Sequence, residues 1–155
     1  MSTYQIADEP APGPLARFAV NPLFPFLSFL IGGLWIAWPW FAFNGIAVGS
    51  PTWRREWLWL GGSVVVISGL LLVLAELILA EMLAGPWSRY AALSIPLVKL
   101  ATLYAVFVLQ SRTIEIYEYY GGVLRNGVLV LAAIFLLRPG RVIDELPTFF
   151  RLLFA

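Results

Sequence analysis

Residues 57–83 read WLWLGGSVVVISGLLLVLAELILAEML, a long apolar stretch in which the only ionisable residues are Glu76 and Glu81. A helix of about 20 apolar residues crosses the ~30 Å hydrocarbon core of a membrane. The stretch therefore predicts a membrane-spanning helix. A charged side chain at the centre of such a helix costs roughly 2.5–3.5 kcal/mol on insertion scales, so Glu76 is expected to have a partner.

The composition of the whole chain indicates the same class of protein. Apolar residues make up 61% and charged residues 12% of the 155 residues, whereas a soluble domain carries about 25% charged residues. Ten basic and nine acidic residues nearly cancel, so no strong field is expected to attract nucleic acid. The chain has neither cysteine nor histidine, which argues against thiolate, haem and most zinc sites. We therefore expect no metal and no cofactor.

Further apolar stretches extend the prediction to four spans. The predicted fold is an all-α membrane protein, a four-span antiparallel helical bundle over residues 22–138 with spans at about 23–43, 57–83, 87–109 and 119–137. The first two connections are short, which favours antiparallel neighbours. Pro39 predicts a kink in the first span. Ser50 is predicted to be the N-cap of the second helix, with Pro51 at its first position and Glu56 in a first turn that favours acidic residues.

The fourth span is the least regular of the four. Its uninterrupted apolar run covers only residues 127–137, too few to cross a membrane. Tyr117, Tyr119 and Tyr120 would form an interfacial belt if the helix extended back to about residue 119, which favours a full span. The alternatives are a re-entrant helix and a helix lying on the membrane surface.

The two ends of the chain differ from the apolar centre. Residues 1–21 are polar and rich in proline, which predicts a flexible N-terminal arm. Residues 139–155 carry apolar side chains at helical spacing, interrupted at Pro147, and predict a short amphipathic helix in the membrane interface; the alternative is a tail packed against the bundle. The arginines slightly favour cytoplasmic termini, in the inner (cytoplasmic) membrane of a bacterium.

A buried charge pair between Glu76 and Lys99 is the most specific prediction. Counted from the turn at Gly85-Pro86, the two Cα depths differ by only ~8 Å at 1.5 Å per residue. Side chains lean toward the N-terminus of their own helix, which narrows the gap. Gly62 and Gly69 share a face with Glu76, which indicates a face that contacts protein. The pair either fixes the packing of two helices or serves as a proton or ion relay.

A second polar group lies at the predicted third connection, interleaved with tyrosines. Its members are Gln110, Arg112, Glu115, Glu118, Arg125 and Asn126. This polar interfacial cluster is either a solvated loop anchored by the aromatic belt or a docking surface for another protein or a lipid headgroup.

Motifs that carry chemistry are missing, since the sequence has neither a phosphate-binding G-x-x-x-x-G-K-[ST] loop nor a G-x-S-x-G nucleophile motif. The leading hypothesis is a non-catalytic accessory, assembly or immunity-type protein that packs in the lipid bilayer against another membrane protein or a second copy of itself. One alternative is an oligomeric small channel or proton-coupled transporter using Glu76 and Lys99. Another is an enzyme of lipid or isoprenoid chemistry with Glu, Arg and Tyr side chains at the interface.

Overall fold

The computed structural model describes residues 9–137 and 145–154, and within these ranges the chain is helical without a β-strand. A 3₁₀ helix, Pro14–Phe18, precedes α1 (Leu23–Gly32), α2 (Leu34–Val48), α3 (Trp53–Leu79), α4 (Pro86–Ala92), α5 (Ser94–Tyr119), α6 (Val128–Leu137) and α7 (Thr148–Phe154). The all-helical prediction is confirmed for the described ranges. Residues 1–8 of the predicted arm, and residues 138–144 and 155 at the other end, lie outside them.

Two helical segments are long and apolar enough to cross a membrane. They are α3, with 27 residues, and the segment Pro86–Tyr119, with 34 residues, which comprises α4 and α5. At about 1.5 Å per residue, α3 is ~40 Å long. The side chain of Glu56, near the start of α3, accepts a hydrogen bond from Gln110, near the end of α5. Further along α3, Gly62 and Val66 lie beside Val98 and Ala101, which come earlier in α5. The two helices therefore pack side by side in antiparallel orientation.

Residues 23–43, predicted as one kinked span, instead form most of a helical hairpin. Gly33 adopts φ 84° and ψ −176°, a combination that is nearly restricted to glycine, and reverses the chain between α1 and α2. The backbone N–H of Val20 donates to Asn44 Oδ1 at 2.9 Å, and Asn44 Nδ2 donates to the carbonyl of Val20 at 3.0 Å. In one straight helix these residues would be about 36 Å apart. The bend is therefore at Gly33, and Pro39 lies within α2.

The short helix α6 runs parallel to α1. The N–H of Arg125 donates to the carbonyl of Ala19 at 2.7 Å. Further along, Gly127 lies against the ring of Phe24, and Ile134 lies beside Gly32. The two helices therefore begin at one level and extend in the same direction. With ten residues each, they are about 15 Å long.

The predicted fourth span, residues 119–137, is not one helix. Tyr119 is the last residue of α5, and a connection from residue 120 to 127 precedes α6. Gly121 has φ 85°, a left-handed conformation that ends the helix at low energetic cost only for glycine. The tyrosines that were expected to open a fourth helix therefore close α5.

The hydrophobic core lies between the α1–α2 hairpin and the α3–α5 pair, and α7 packs onto it. The core includes Leu34 and Phe41 of α2, Ile67 of α3 and Leu103 of α5. Leu153 of α7 is 3% exposed and belongs to the same cluster. Two alternatives were given for the C-terminal segment, and α7 matches the second, a tail packed against the bundle. At the opposite end of the chain, the 3₁₀ helix within the predicted arm is also packed, since Ala16 is buried.

Candidate functional site

A cluster of buried polar side chains lies where α2, α3 and α5 meet, near the start of α3. We call it the Glu56 cluster; its members are Asn44, Ser50, Thr52, Glu56, Gln110 and Thr113. Glu56 is 3% exposed, and the side chains of Asn44 and Gln110 are fully buried. Polar groups buried in this way are stable only if they are hydrogen-bonded, so the cluster specifies how these helices pack.

The carboxylate of Glu56 is held by three donors. The hydroxyl of Ser50 donates to Oε1, and the hydroxyl of Thr52 donates to the same oxygen at 2.8 Å. Gln110 Nε2 donates to Oε2 at 2.8 Å. An ionised carboxylate is an acceptor only, and it matches three donors. Hydrogen bonds to a charged group contribute about 1.5–3 kcal/mol each, so the arrangement offsets the burial of the charge.

The side-chain amide of Gln110 connects this carboxylate to α2. Its Nε2 also donates to the carbonyl of Phe41 at 2.7 Å, and its Oε1 accepts from Asn44 Nδ2 at 3.2 Å. Asn44 in turn binds the backbone of Val20 through both its oxygen and its nitrogen. A continuous chain of hydrogen bonds thus joins the segment before α1 to α2, α5 and α3.

The backbone of α2 approaches the cluster so closely at Gly45 that a side chain at this position would displace the Glu56 carboxylate. A Cβ placed on Gly45 would overlap Glu56 Oε2 and would also crowd Gln110 Nε2. The carboxylate therefore packs directly against the helix backbone. The hydrogen bonds of the hairpin to α3 and α5 depend on this close contact.

The start of α3 differs by two residues from the prediction. The helix begins at Trp53, and Thr52 occupies the N-cap position, where Ser50 had been expected. The Ser50 hydroxyl still accepts from the N–H of Thr52, at 3.2 Å, but it donates to Glu56. Side-chain hydrogen bonds of this kind compete with the helical hydrogen bonds of the backbone and shift the position at which the helix begins.

Lys99 and Glu76, the predicted buried pair, lie in different environments. Lys99 is 5% exposed, and its Nζ donates to the carbonyl of Leu152 in α7 at 2.7 Å. Glu76 is exposed near the end of α3. Within the residues that the structure describes, no ion pair joins the two side chains. The ammonium of Lys99 lies beside the last turn of α7, where a cation interacts favourably with the helix dipole.

The polar interfacial cluster is divided by the structure. Gln110 belongs to the Glu56 cluster, whereas Arg112, Glu115 and Glu118 are exposed on α5. Arg125 Nε donates to the carbonyl of Arg17 at 3.3 Å. Asn126 Oδ1 accepts from the N–H of Val128 and caps the start of α6. The six residues therefore do not form one site.

Three members of the Glu56 cluster had a detectable signal in the sequence. Asn44 and Gln110 are amides at the ends of apolar stretches, and Glu56 interrupts the tryptophan-rich start of α3. Such residues are expected to have buried partners when they lie beside membrane-length helices. Sequence reasoning assigned Glu56 only to the helix dipole, because its partner Gln110 is 54 residues away.

We expect Lys99→Met to loosen α7 while keeping most of the side-chain volume. Loss of the hydrogen bond from Nζ to Leu152 removes an interaction with a charged donor, worth about 1.5–3 kcal/mol. Because the chain has no cysteine, Leu153→Cys can serve as the single labelling site in the natural chain and in the Lys99→Met variant. Its maleimide labelling in detergent is expected to become ~tenfold faster when Lys99 is replaced. Leu100→Met, on the exposed face of α5, is the control, and unchanged labelling in Lys99→Met would argue against the anchor.

Among residues 9–137 and 145–154, no group of three or more His, Cys, Asp or Glu side chains is placed to hold a metal ion. The Glu56 cluster is a packed hydrogen-bond network of one carboxylate, two amides and three hydroxyls. In comparisons with known proteins, no protein-family model, no curated protein and no solved structure matches this chain.

Proposed function

We propose that this chain is an integral membrane protein, a non-catalytic accessory, assembly or immunity-type protein that packs against a second membrane protein in the bilayer. The observation that supports this function is an uncovered stripe on α3. Small, apolar and acidic side chains line this stripe, which we call the α3 stripe: Gly69, Leu72, Val73, Glu76 and Ala80, all exposed.

The aromatic residues support a position in the membrane. Trp57 lies near the start of α3. Trp87 and Tyr90 lie on α4, which follows the other end of α3. From Trp57 to Leu79 the helix is about 33 Å long, close to the ~30 Å of the hydrocarbon core. Exposed tryptophan and tyrosine are enriched at both boundaries of a membrane. We therefore place the two boundaries at these aromatic groups.

With the membrane boundaries at these aromatic groups, the α1–α2 hairpin is re-entrant: it enters and leaves the membrane on the same side. Val20, before α1, lies at the level of Asn44 and of the Glu56 cluster, so both ends of the hairpin are at the Trp57 boundary. With a length of about 15 Å, α1 reaches the middle of the membrane. Non-helical backbone is tolerated at that depth when its polar groups are satisfied; the N–H of Gly33 donates to Phe29 at 2.9 Å. Two crossing helices and a hairpin thus replace four crossing helices.

With the same membrane boundaries, Glu76 and Lys99 lie at different depths in the membrane. Lys99 lies about 18 Å along the helix from Trp87, near mid-membrane, and Glu76 lies about 28 Å from Trp57, near the opposite boundary. Lys99 has the carbonyl of Leu152 beside it. A carboxylate on an otherwise apolar exposed stripe favours a partner helix that supplies a donor or a cation. Gly69 and Ala80 would let that helix approach closely.

Site-specific photocross-linking in native membranes tests this function. With a photoreactive residue at Val73, we expect one adduct of fixed mass with a second membrane protein, or with another copy of the chain. Glu76→Gln is expected to weaken that adduct severalfold. Leu129 is the control position, since it is strongly exposed on α6 but outside the α3 stripe. Adducts with lipid alone at both positions would argue against a protein partner.

The channel or transporter hypothesis has less support. It requires Glu76 and Lys99 on one path that water reaches. Glu76 is exposed, whereas Lys99 is buried beside α7. The enzyme hypothesis requires several carboxylates in one cleft, and among the residues that the structure describes no group of three or more His, Cys, Asp or Glu side chains comes together.

A further inference from the structure

An apolar groove follows the outer side of the α3–α5 pair, away from the hairpin. It has a volume of about 360 Å³ and is lined by Leu58, Trp59, Gly62, Val66, Ala101 and Thr102, among others. Gly62 leaves part of the groove open, because a Cβ placed there would meet no atom within 4 Å. The hydroxyl of Ser63, which also lines the groove, donates to the carbonyl of Leu60. The surface of the groove is therefore apolar.

One end of this groove is basic. The space next to it is lined by Arg55, Leu58, Trp59 and Leu109, so the two spaces share Leu58 and Trp59. Arg55 is exposed in the first turn of α3. From Arg55 to Val66 the helix rises about 16 Å, close to the depth of one leaflet of the hydrocarbon core. A cationic end and an apolar groove of this length match an amphiphile.

We propose that this groove binds one anionic phospholipid, with its phosphate at Arg55 and one acyl chain along Gly62 and Val66. The inference rests on the membrane position in the proposed function, but it does not depend on a protein partner. A guanidinium binds phosphate through paired hydrogen bonds, and basic pockets between membrane helices bind anionic headgroups. One anionic lipid accounts for both features, because its acyl chain fills the apolar groove and its phosphate supplies the counter-charge of Arg55.

Native mass spectrometry of the full chain tests the proposal. The chain is reconstituted into vesicles of equal parts phosphatidylcholine and phosphatidylglycerol and then released in detergent. We expect the natural chain to retain one phosphatidylglycerol in preference to phosphatidylcholine. Arg55→Gln is expected to lower this preference about fivefold, the effect of one basic residue near the surface. Gly62→Leu is expected to abolish retention of both lipids by filling the groove, and Gly62→Ala to reduce it in part.

Two matched controls separate the site from general effects. Arg54→Gln removes the same charge one residue away, where the guanidinium lies over the ring of Trp53 at 5.5 Å. Gly61→Leu adds the same side chain at the neighbouring glycine, which has equally open surroundings and does not line the groove. Both variants are expected to retain the lipid like the natural chain.

The possible failures are distinguishable. Equal losses for Arg54→Gln and Arg55→Gln would overturn the site in favour of general charge attraction. Retention of phosphatidylcholine as strongly as phosphatidylglycerol would also overturn it, and so would a groove occupied by a second copy of the chain. These results would leave the membrane position unaffected. A chain that does not enter the vesicles would overturn the membrane position itself, and the lipid site with it.

Discussion

Replacement of Gln110 by leucine is expected to lower the free energy of unfolding by about 1.5–3 kcal/mol, the contribution of a hydrogen bond to a charged group. Leucine fills a similar volume but donates nothing to Glu56 Oε2 or to the carbonyl of Phe41. It also leaves Asn44 Nδ2 without one of its acceptors. Equilibrium unfolding of the purified protein in mixed micelles measures the change.

A double-mutant cycle shows whether the loss comes from the cluster. Glu56→Leu in the Gln110→Leu background removes the buried charge, so the double variant is expected to be less destabilised than the sum of the single variants. Glu118→Leu changes an exposed acidic residue on the same helix and is expected to alter stability by less than about 0.5 kcal/mol. Additive effects at positions 56 and 110 would contradict the network.

Replacement of Gly33 by alanine is expected to destabilise the hairpin by about 1–3 kcal/mol. The residue has φ 84° and ψ −176°, a conformation that is essentially restricted to glycine. Alanine also has the highest helix propensity, so the variant favours a single helix through residues 23–48 over two helices with a bend. Stability in micelles measures the loss.

Labelling of single cysteines tests the course of the chain directly. With Phe18→Cys and Ile46→Cys, both at exposed positions, a membrane-impermeant maleimide is expected to react with both sites from the same side. In the Gly33→Ala background, part of the population is expected to react from opposite sides. Gly61→Ala is the control, because a Cβ placed there meets no atom within 4 Å; alanine should be neutral or stabilising there. Labelling from opposite sides in the natural chain would contradict the re-entrant hairpin.

The long helices could be predicted from the sequence because their signals are local. Length and apolar composition predicted helices at 57–83 and 87–109, and the structure has them at Trp53–Leu79 and within Pro86–Tyr119. The predicted helix at 87–109 ended too early, because the prediction stopped at the first polar residues that follow it. Thr113, Ile114 and Tyr117 are buried on one face of α5, so helical packing continues where hydropathy falls.

The hairpin and the Glu56 cluster could not be predicted in this way. Gly33 follows Gly32 in an apolar run of ordinary span length. A Gly-Gly pair is a turn signal, but the length and apolar composition of the run favoured a single span. The turn is recognised from the hydrogen bonds between Val20 and Asn44. Glu56 likewise meets Gln110 across 54 residues, and Lys99 meets Leu152 across 53.

By itself, then, the sequence determined that the chain is helical and where its two longest helices run, since hydrophobic content and helix propensity act over neighbouring residues. Only the tertiary structure decided that the first apolar run turns back, which carboxylate is buried, and which group receives the ammonium of Lys99. These outcomes depend on which distant donors and acceptors satisfy each other once the helices pack, because a buried polar group is stable only with a partner.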